Sequence, residues 1–358
     1  MNLDNVHQHH GKLTFTMDNV DLPYVNGIRR TILSDINVIG IKGFPHNKCD
    51  IVFIQNDTNL NNEMLKQRII SIPVHVLNPD NQLYTKIKII LNVENKTETV
   101  IPITSEHINI VDIASGNSIN REIIQKIFPP NSITNDYVLI SYLKPLPDSV
   151  SKLHFEATFS VVNPSINSVY NCVSTISFSN TIDVEKQEYA WNEFQKQIPP
   201  DSCDMETEKQ NWRLLKGQHY YKENSYDFVI KTIGFIKNKQ ILIKACNIIT
   251  EKLTLISQGI TINPNKKNNI PNSFNIILEN EDYTIGNIMK KVMYDMYFPQ
   301  TISYVGFFKE HPHDSYSTLR VGFNSPVDNE MVMDNVKNVC IQAISVLSSL
   351  EDLFESSI

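Results

Sequence analysis

Apolar residues recur along this chain with two different periods, and their order predicts the secondary structure. Residues 11–20 are apolar at about every second position, which predicts a half-buried strand. From Val25 to Ile36 the apolar residues have helical spacing, and a short second strand is predicted at 38–41.

Between about residues 45 and 200 the pattern changes to short β-rich runs divided by turn clusters. Alternation at 226–235 predicts another strand. A helix follows, with an apolar face from Ile241 to Ile256. The polar segment 262–272 has the composition of a linker.

The same order of elements then starts again. Residues 274–278 alternate as a strand, and an apolar helical stripe follows from Ile285, with Thr284 as the expected cap. Two strands are predicted near 304–308 and 319–323. The last helix is expected to open at Ser325-Pro326-Val327-Asp328, with a capping box and Pro at the first helical position.

Each half therefore has the predicted order strand, helix, strand, strand, helix, and only the first half has a large insertion, between its second and third strands. The first helices also match residue by residue, since Asn26-Gly27-Ile28-Arg29-Arg30-Thr31-Ile32 aligns with Asn287-Ile288-Met289-Lys290-Lys291-Val292-Met293. A small sheet with helices on one face leaves an apolar helix layer that a second half can cover.

The predicted fold class is α+β: two β-α-β-β-α dimerisation half-domains fused as an intramolecular pseudo-dimer, with a β-rich insertion domain in the first half. The predicted parts are 1–45 (first half, first part), 46–200 (insertion domain and connector), 201–261 (first half, second part), 262–272 (linker) and 273–358 (second half). The residues expected at the interface between the halves are Ile28, Ile32, Ile285, Ile288, Met289, Val292, Met293 and Leu347.

Composition narrows the possible functions. A net charge of −7 argues against a broad nucleic-acid clamp. The five cysteines form no CxxC pair, which predicts reduced thiols and neither a metal nor a cofactor. The first residues lack the apolar stretch of a signal peptide, and no run reaches the ~18 apolar residues of a membrane span. We therefore expect a soluble intracellular protein without membrane contact.

Two groups of motifs resemble the alpha-like subunits of RNA polymerases. FNIILENEDYTIGNIMKKVMYD, with YVGFFKEHPHDSYSTLRV after it, resembles the eleventh subunit of eukaryotic RNA polymerase II and the archaeal L subunit. VDLPYVNGIRRTILSDINVIGI resembles the third-largest subunit, the archaeal D subunit and the bacterial alpha N-terminal domain. The segment 56–74 matches the same group, with Asn56, Glu63, Arg68, Ile72 and Pro73 in place.

This resemblance implies a non-catalytic assembly platform of a DNA-directed RNA polymerase. Its implied partners are the largest and second-largest subunits and small polymerase subunits. DNA and RNA are expected to be contacted only through the complex. No homodimer is expected. The implied partner-binding residues are Asn26, Arg29, Arg30, Asn56, Glu63 and Arg68. Arg29 and Arg30 suit such a contact because a guanidinium can hold a carboxylate with two hydrogen bonds, which a Lys cannot imitate, and Arg30 is the foremost of the implied residues.

The sequence departs from these relatives in lacking the cysteine clusters that hold zinc or iron–sulfur groups in some of them, and in joining both partners in one chain. Together with the Ile-, Asn- and Lys-rich composition, this suggests a large cytoplasmic DNA virus. The expected location is then the host cytoplasm (the viral factory) or the virion, and otherwise the nucleus.

Other interpretations stay open. The chain could be an independent binding or regulatory module on the same dimerisation fold. A metal hydrolase would need His7, His9 and His10, but these lack a partner ligand at fixed spacing and are expected in a frayed terminus. We expect His311 and His313 in a turn. Trp191 and Trp212 are expected to anchor a charged connecting region to the insertion or to a partner.

Overall fold

The computed structural model describes residues 1–76, 78–80, 82–147, 149–198, 204–264 and 270–358. The chain divides into two compact units. Unit 1 comprises Met1–Ile32, Val173–Thr232 and Lys237–Ile358, and unit 2 comprises Leu33–Cys172 and Ile233–Ile236.

Helices and strands are numbered in chain order. The helices are α1 (Leu22–Ser34), α2 (Asn62–Ile70), α3 (Arg121–Ile127), α4 (Val184–Gln195), α5 (Met205–Leu214), α6 (Asn238–Gln258), α7 (Tyr283–Tyr297) and α8 (Asn329–Ser357). The strands are β1 (Asn2–His9), β2 (Lys12–Asp18), β3 (Val38–Gly40), β4 (Ile51–Asn56), β5 (Ile87–Asn95), β6 (Ile101–Thr104), β7 (Asn109–Asp112), β8 (Leu139–Leu143), β9 (Ser151–Thr158), β10 (Ser160–Val162), β11 (Val173–Ile182), β12 (Tyr221–Thr232), β13 (Thr261–Pro264), β14 (Ser273–Glu279), β15 (Ile302–Phe308) and β16 (Tyr316–Phe323). The prediction of an α+β fold is confirmed.

Unit 1 contains two antiparallel sheets with the same internal order. One runs β1-β2-β12-β11 and the other β13-β14-β16-β15. Strand and helix also repeat at a constant spacing: adding 261 to the bounds of β2 gives those of β14, and adding it to Leu22, where α1 begins, gives Tyr283, where α7 begins. The repeat inferred from hydrophobic periodicity is therefore present in the strand order.

The helices of unit 1 form an apolar layer. Helix α6 packs along α8, and α7 packs against α8 and against β15 and β16. At the other end of α8, Phe354 lies 6.2 Å from Phe15 of β2, which stacks on Phe228 of β12 at 5.1 Å between ring centroids. The last helix therefore contacts the sheet built from the first part of the chain.

One predicted strand joins a different sheet. The segment 38–41 was expected in the sheet of the first half, but β3 pairs with β10 inside unit 2. Its expected place is taken by β11, which lies in the range 46–200 assigned to the insertion and pairs along β12 from Val173↔Thr232 to Ile182↔Tyr221. Both strands are short apolar runs, and periodicity identifies such a run without specifying its partner.

Three local predictions are also corrected. The N-terminus is strand β1, paired with β2, and is not frayed. Residues 262–264 of the expected linker 262–272 belong to β13, whereas 265–269 lie outside the described residues. Helix α8 begins only after Asp328, whose side chain accepts from the Met331 N–H at 2.9 Å, so Pro326 precedes the helix. An Asp immediately before the first helical residue is the better cap, because its carboxylate reaches a free backbone N–H.

Unit 2 is a β-rich unit with two short helices, α2 and α3. Its largest sheet has the order β4-β9-β5-β7, and smaller sheets pair β6 with β8 and β3 with β10. Inward side chains of β5 and β9 are fully buried, with Leu91 and Phe155 directly paired across the strands.

Among the described residues, none of the helices combines the length and the apolar character needed to cross a bilayer.

Candidate functional site

Three of the predicted partner-binding residues lie together on α1. Its apolar face is buried through Val25, Ile28 and Ile32, because these recur at three- and four-residue spacing. On the other side Asn26, Arg29 and Arg30 remain partly exposed. The helix therefore presents two adjacent cations beside an amide.

Arg29 is oriented by its own helix. The Asn26 Oδ1 atom accepts hydrogen bonds from Arg29 Nε at 3.0 Å and from Nη2 at 2.9 Å. Partial burial, followed by the charge of Arg30, lowers the pKa of Arg29. No carboxylate pairs with Arg29 among the residues that the structure describes. Arg29 is thus a fixed cation whose charge is under-compensated in the isolated chain.

Arg30 points to the second half of the repeat. Its Nε donates to Thr284 Oγ1 at 2.9 Å, and its Nη2 donates to Asp282 Oδ2 at 2.6 Å. Arg30 and Asp282 have side-chain exposures of 37% and 43%, so solvent screens this ion pair appreciably. The residue expected to dock a partner subunit is therefore engaged within the chain.

Asp282 also caps α7, a role the sequence analysis had assigned to Thr284. The Asp282 carboxylate accepts from the Thr284 N–H at 2.8 Å. Burial of Asp282 acts to raise its pKa, but the hydrogen bonds from Thr284 and the charge of Arg30 outweigh burial and hold the pKa below its usual value. The acidic motif before α7 thus serves both the cap and the contact with α1.

We expect acid to weaken unit 1 through Asp282. Since its folded pKa is depressed, its stabilising contribution is present above the unfolded pKa of about 4 and is lost as pH falls through the lower folded pKa. The Asp282→Asn variant keeps a capping oxygen but should lose this part of the pH dependence. Urea melts between about pH 5 and pH 2.5 measure it.

The matched control is Asp334→Asn, which removes a carboxylate that is 63% exposed on α8. Its free energy of unfolding should follow the wild-type pH dependence. An Asp282→Asn protein with an unchanged slope in this pH range would contradict the assignment.

Two further ion pairs join the same parts of unit 1. Lys291 Nζ on α7 lies 3.4 Å from Asp21, next to the start of α1, and also 2.6 Å from Asp295. Lys252 of α6 lies 3.5 Å from Glu281, whose side chain is only 12% exposed. None of these pairs was predicted from the sequence.

The repeat is not symmetric at the aligned Asn in the second turn of each helix, Asn26 in α1 and Asn287 in α7. Whereas Asn26 accepts from Arg29, the aligned Asn287 donates from Nδ2 to the Tyr283 carbonyl of its own helix at 2.9 Å. Lys290, aligned with Arg29, has no corresponding bond to Asn287 among the described contacts. An oriented cation beside an amide is therefore a feature of the first half.

All residues predicted at the interface between the halves are buried. Their exposed fractions are between 0% and 5% for Ile28, Ile32, Ile285, Ile288, Met289, Val292, Met293 and Leu347. Gly27 was not among the residues predicted at this interface, although a Cβ built there would lie only 3.0 Å from Ile288 Cδ1. A side chain at Gly27 would require the Ile288 side chain to shift by a few tenths of an ångström.

The other predicted partner-binding residues lie in unit 2. Asn56 ends β4, and its side chain bonds the Leu60 carbonyl, Asn62 and Thr58, which shapes the turn into α2. Glu63 lies exposed in the first turn of α2, and the exposed Arg68 donates to the Leu139 carbonyl at 3.0 Å. Glu63 and Arg68 are accessible to a partner, whereas Asn56 has a structural role in its turn.

The described residues contain no arrangement of three or more His, Cys, Asp or Glu suited to a metal ion. His311 and His313 lie in the β15–β16 loop, where Asp314 accepts from the His311 N–H at 3.0 Å. Burial raises the pKa of the Cys246 and Cys340 thiols to about 12, so both stay protonated at neutral pH. The described cysteines are all free thiols; Cys203 lies outside the described residues.

Comparison with known proteins gives one family. A family model described as the RNA polymerase Rpb3/Rpb11 dimerisation domain matches residues 14–253. A search of curated proteins finds no match. The family match covers most of β2, α1, unit 2, β11, β12 and most of α6, and it stops before β13.

Proposed function

The chain belongs to the family of the RNA polymerase Rpb3/Rpb11 dimerisation domain, and from this premise we propose that it is a non-catalytic assembly subunit of a multisubunit DNA-directed RNA polymerase. In this proposal it supplies both dimerisation partners from one polypeptide. It then offers the paired halves to the two large catalytic subunits.

One observation carries the proposal: the described residues from 261 onward, which lie outside the family match, repeat a sheet and helix of the matched region. Their sheet has the same order of strands as the sheet of the first half, and β14 and α7 follow β2 and α1 at the constant offset of 261 residues. The apolar helix layer of a dimerisation module is buried only when the helix layer of a second module packs against it. We infer that the C-terminal module is that partner.

The ion pairs support a two-fold relation between the modules. In a two-fold interface every contact away from the axis occurs twice. If residue i of one copy contacts residue j of the other copy, then residue j of the first copy also contacts residue i of the second. At the offset of 261, Arg30 corresponds to Lys291 and Asp21 to Asp282, and the contacts are Arg30–Asp282 and Lys291–Asp21. Gly27 and its counterpart Ile288 face each other, as residues on the axis would.

Joining the partners in one chain favours their association. A short flexible connection raises the effective concentration of one module near the other to roughly millimolar. A charged, partly exposed contact such as Arg30–Asp282 then serves to fix the register of two modules that are already tethered.

We propose that the partners are the largest and second-largest polymerase subunits and small polymerase subunits, with DNA and RNA contacted through the complex. Arg29 of α1 and Glu63 and Arg68 of α2 are the accessible candidates for these contacts. We further propose a large cytoplasmic DNA virus as the source, with the chain in the viral factory or the virion. The missing cysteine clusters and the joined modules support this origin.

The test is purification of the tagged full-length chain from cells or particles that produce it. We expect two very large subunits in 1:1 ratio with the tagged chain, and the isolated chain should sediment as a monomer. Recovery without large subunits would favour an independent regulatory module. A concentration-dependent homodimer as the main species would contradict the pairing of modules within one chain.

A further inference from the structure

The hairpin between β11 and β12 carries a helical extension that its counterpart lacks. It consists of α4, α5 and a short 3₁₀ helix, Lys216–His219. In the second module the equivalent strands, β15 and β16, are joined by residues 309–315 alone. Connecting the two strands of such a hairpin therefore does not require these helices. We therefore ask whether they bind another molecule.

The extension has its own aromatic core. Trp191 of α4 and Trp212 of α5 are 2% and 5% exposed, and their ring centroids are 5.6 Å apart. Tyr220 stacks on Trp212 at 5.8 Å, and Phe194 lies 6.2 Å from Trp212. The tryptophans thus hold α4 and α5 to each other; the sequence analysis had expected them to anchor the region to the insertion or a partner.

An open cavity of about 660 Å³ lies over this core. Aromatic side chains form much of its wall, namely Tyr189, Phe194, Trp212 and Tyr220. Of these aromatic side chains, Tyr189 is 71% exposed, so part of the wall is left uncovered. A cavity of this size with an exposed aromatic wall indicates a site for another molecule.

The charges at the rim indicate the kind of molecule. Lys216 Nζ already lies 4.4 Å from the centroid of the Phe194 ring, which shows that the wall accepts a cation. Lys186 pairs with Asp183 at 3.0 Å, and Glu193 pairs with Lys196 at 2.6 Å. Glu185 has no cationic partner among the described residues. Aromatic faces beside an unpaired carboxylate suit a cationic ligand, and Lys216, which has no carboxylate partner among the described residues, already uses one of these faces.

We propose that this cavity is a docking site for a segment of a partner protein that presents an Arg or Lys side chain beside an aromatic or aliphatic one. The cationic head lies over the aromatic wall with Glu185 as its counter-ion, and the apolar neighbour packs against the exposed Tyr189 ring. The site is separate from α1 and from the layer between the modules, so it does not depend on the polymerase assignment.

Tryptophan fluorescence of the full-length chain tests the site directly, because the only two tryptophans, Trp191 and Trp212, are both in this core. The probe is a capped phenylalanyl-arginine amide, compared with a capped phenylalanyl-glutamate amide. We expect a saturable emission change with the arginyl probe alone. Equal binding of the glutamyl probe or of oligothymidine, or no saturable change with the arginyl probe, would overturn the proposal.

Variants at the rim sharpen the test. Glu185→Gln should weaken binding of the arginyl probe about 2- to 5-fold, the effect of losing one exposed charge contact. Lys216→Ala should strengthen it by a similar factor, because it frees the Phe194 ring for the probe cation. Glu206→Gln, on α5 and outside the cavity wall, should leave the affinity unchanged. An affinity for Glu185→Gln equal to wild type would show that Glu185 is not the counter-ion.

Discussion

A Met289→Asp variant is expected to lose the cooperative unfolding of unit 1. Met289 has no exposed surface and lies on α7 in the helix layer. The substitution removes a buried apolar side chain, at a cost of about 2–5 kcal/mol, and places a carboxylate where it has no partner, which costs several kcal/mol more. Since small proteins are stable by only about 5–15 kcal/mol, the variant should be largely unfolded or insoluble.

The matched control is Met331→Asp, the same substitution on α8 at a side chain that is 42% exposed. It lies in the first turn of its helix, where a negative charge is mildly favourable. Circular dichroism and urea melts should show a wild-type transition for Met331→Asp and none for Met289→Asp. A soluble Met289→Asp protein that melts cooperatively near the wild-type midpoint would mean that this helix face is not a core.

An Arg29→Ala variant is expected to fold normally yet recruit the second-largest polymerase subunit poorly. Arg29 is partly exposed and bonds only Asn26 in the described contacts, so truncation should change stability by about 0.5 kcal/mol or less. Truncating one member of a buried charge-assisted contact typically costs about 2–5 kcal/mol of binding, which weakens recruitment about 30-fold or more. Pull-down at limiting concentration, beside a thermal melt, measures both quantities.

Arg30→Ala should behave differently, because Arg30 bonds Asp282 and Thr284 within the chain. We expect a loss of stability of about 1 kcal/mol, kept small by the solvent exposure of the pair. A role of Arg30 in docking remains a prediction, and it requires an assembly defect larger than the stability loss explains.

Lys290→Ala is the matched control for Arg29→Ala, since it truncates the aligned cation of the second module. Lys290 lacks a bond to Asn287 like the one from Asn26 that orients Arg29, so its loss should affect recruitment little. If Lys290→Ala fails to recruit the large subunit while Arg29→Ala succeeds, the docking face lies on the other module.

Part of the candidate site could be predicted from the sequence. Arg29 and Arg30 stand out as adjacent cations on the polar side of an amphipathic helix, and their alignment with Lys290 and Lys291 is visible in the chain. The same offset extended upstream aligns Asp21 with Asp282, so opposite charges at matching positions could have suggested the reciprocal ion pairs. Such pairs follow only if the halves are assumed to face each other about a two-fold axis.

The sequence by itself determined the amphipathic helices α1, α6 and α7 and which of their faces are buried, although it did not predict β1 or β13. Ile28, Ile32 and Met289 were identified in this way, because the period of apolar residues follows the geometry of each element. Only the tertiary structure decided that β11 and not β3 completes the sheet beside β12, and that Arg30 meets a carboxylate 252 positions away. Periodicity predicts that a face of a helix or strand is buried. Which helix or strand packs against that face depends on contacts between residues far apart in the chain.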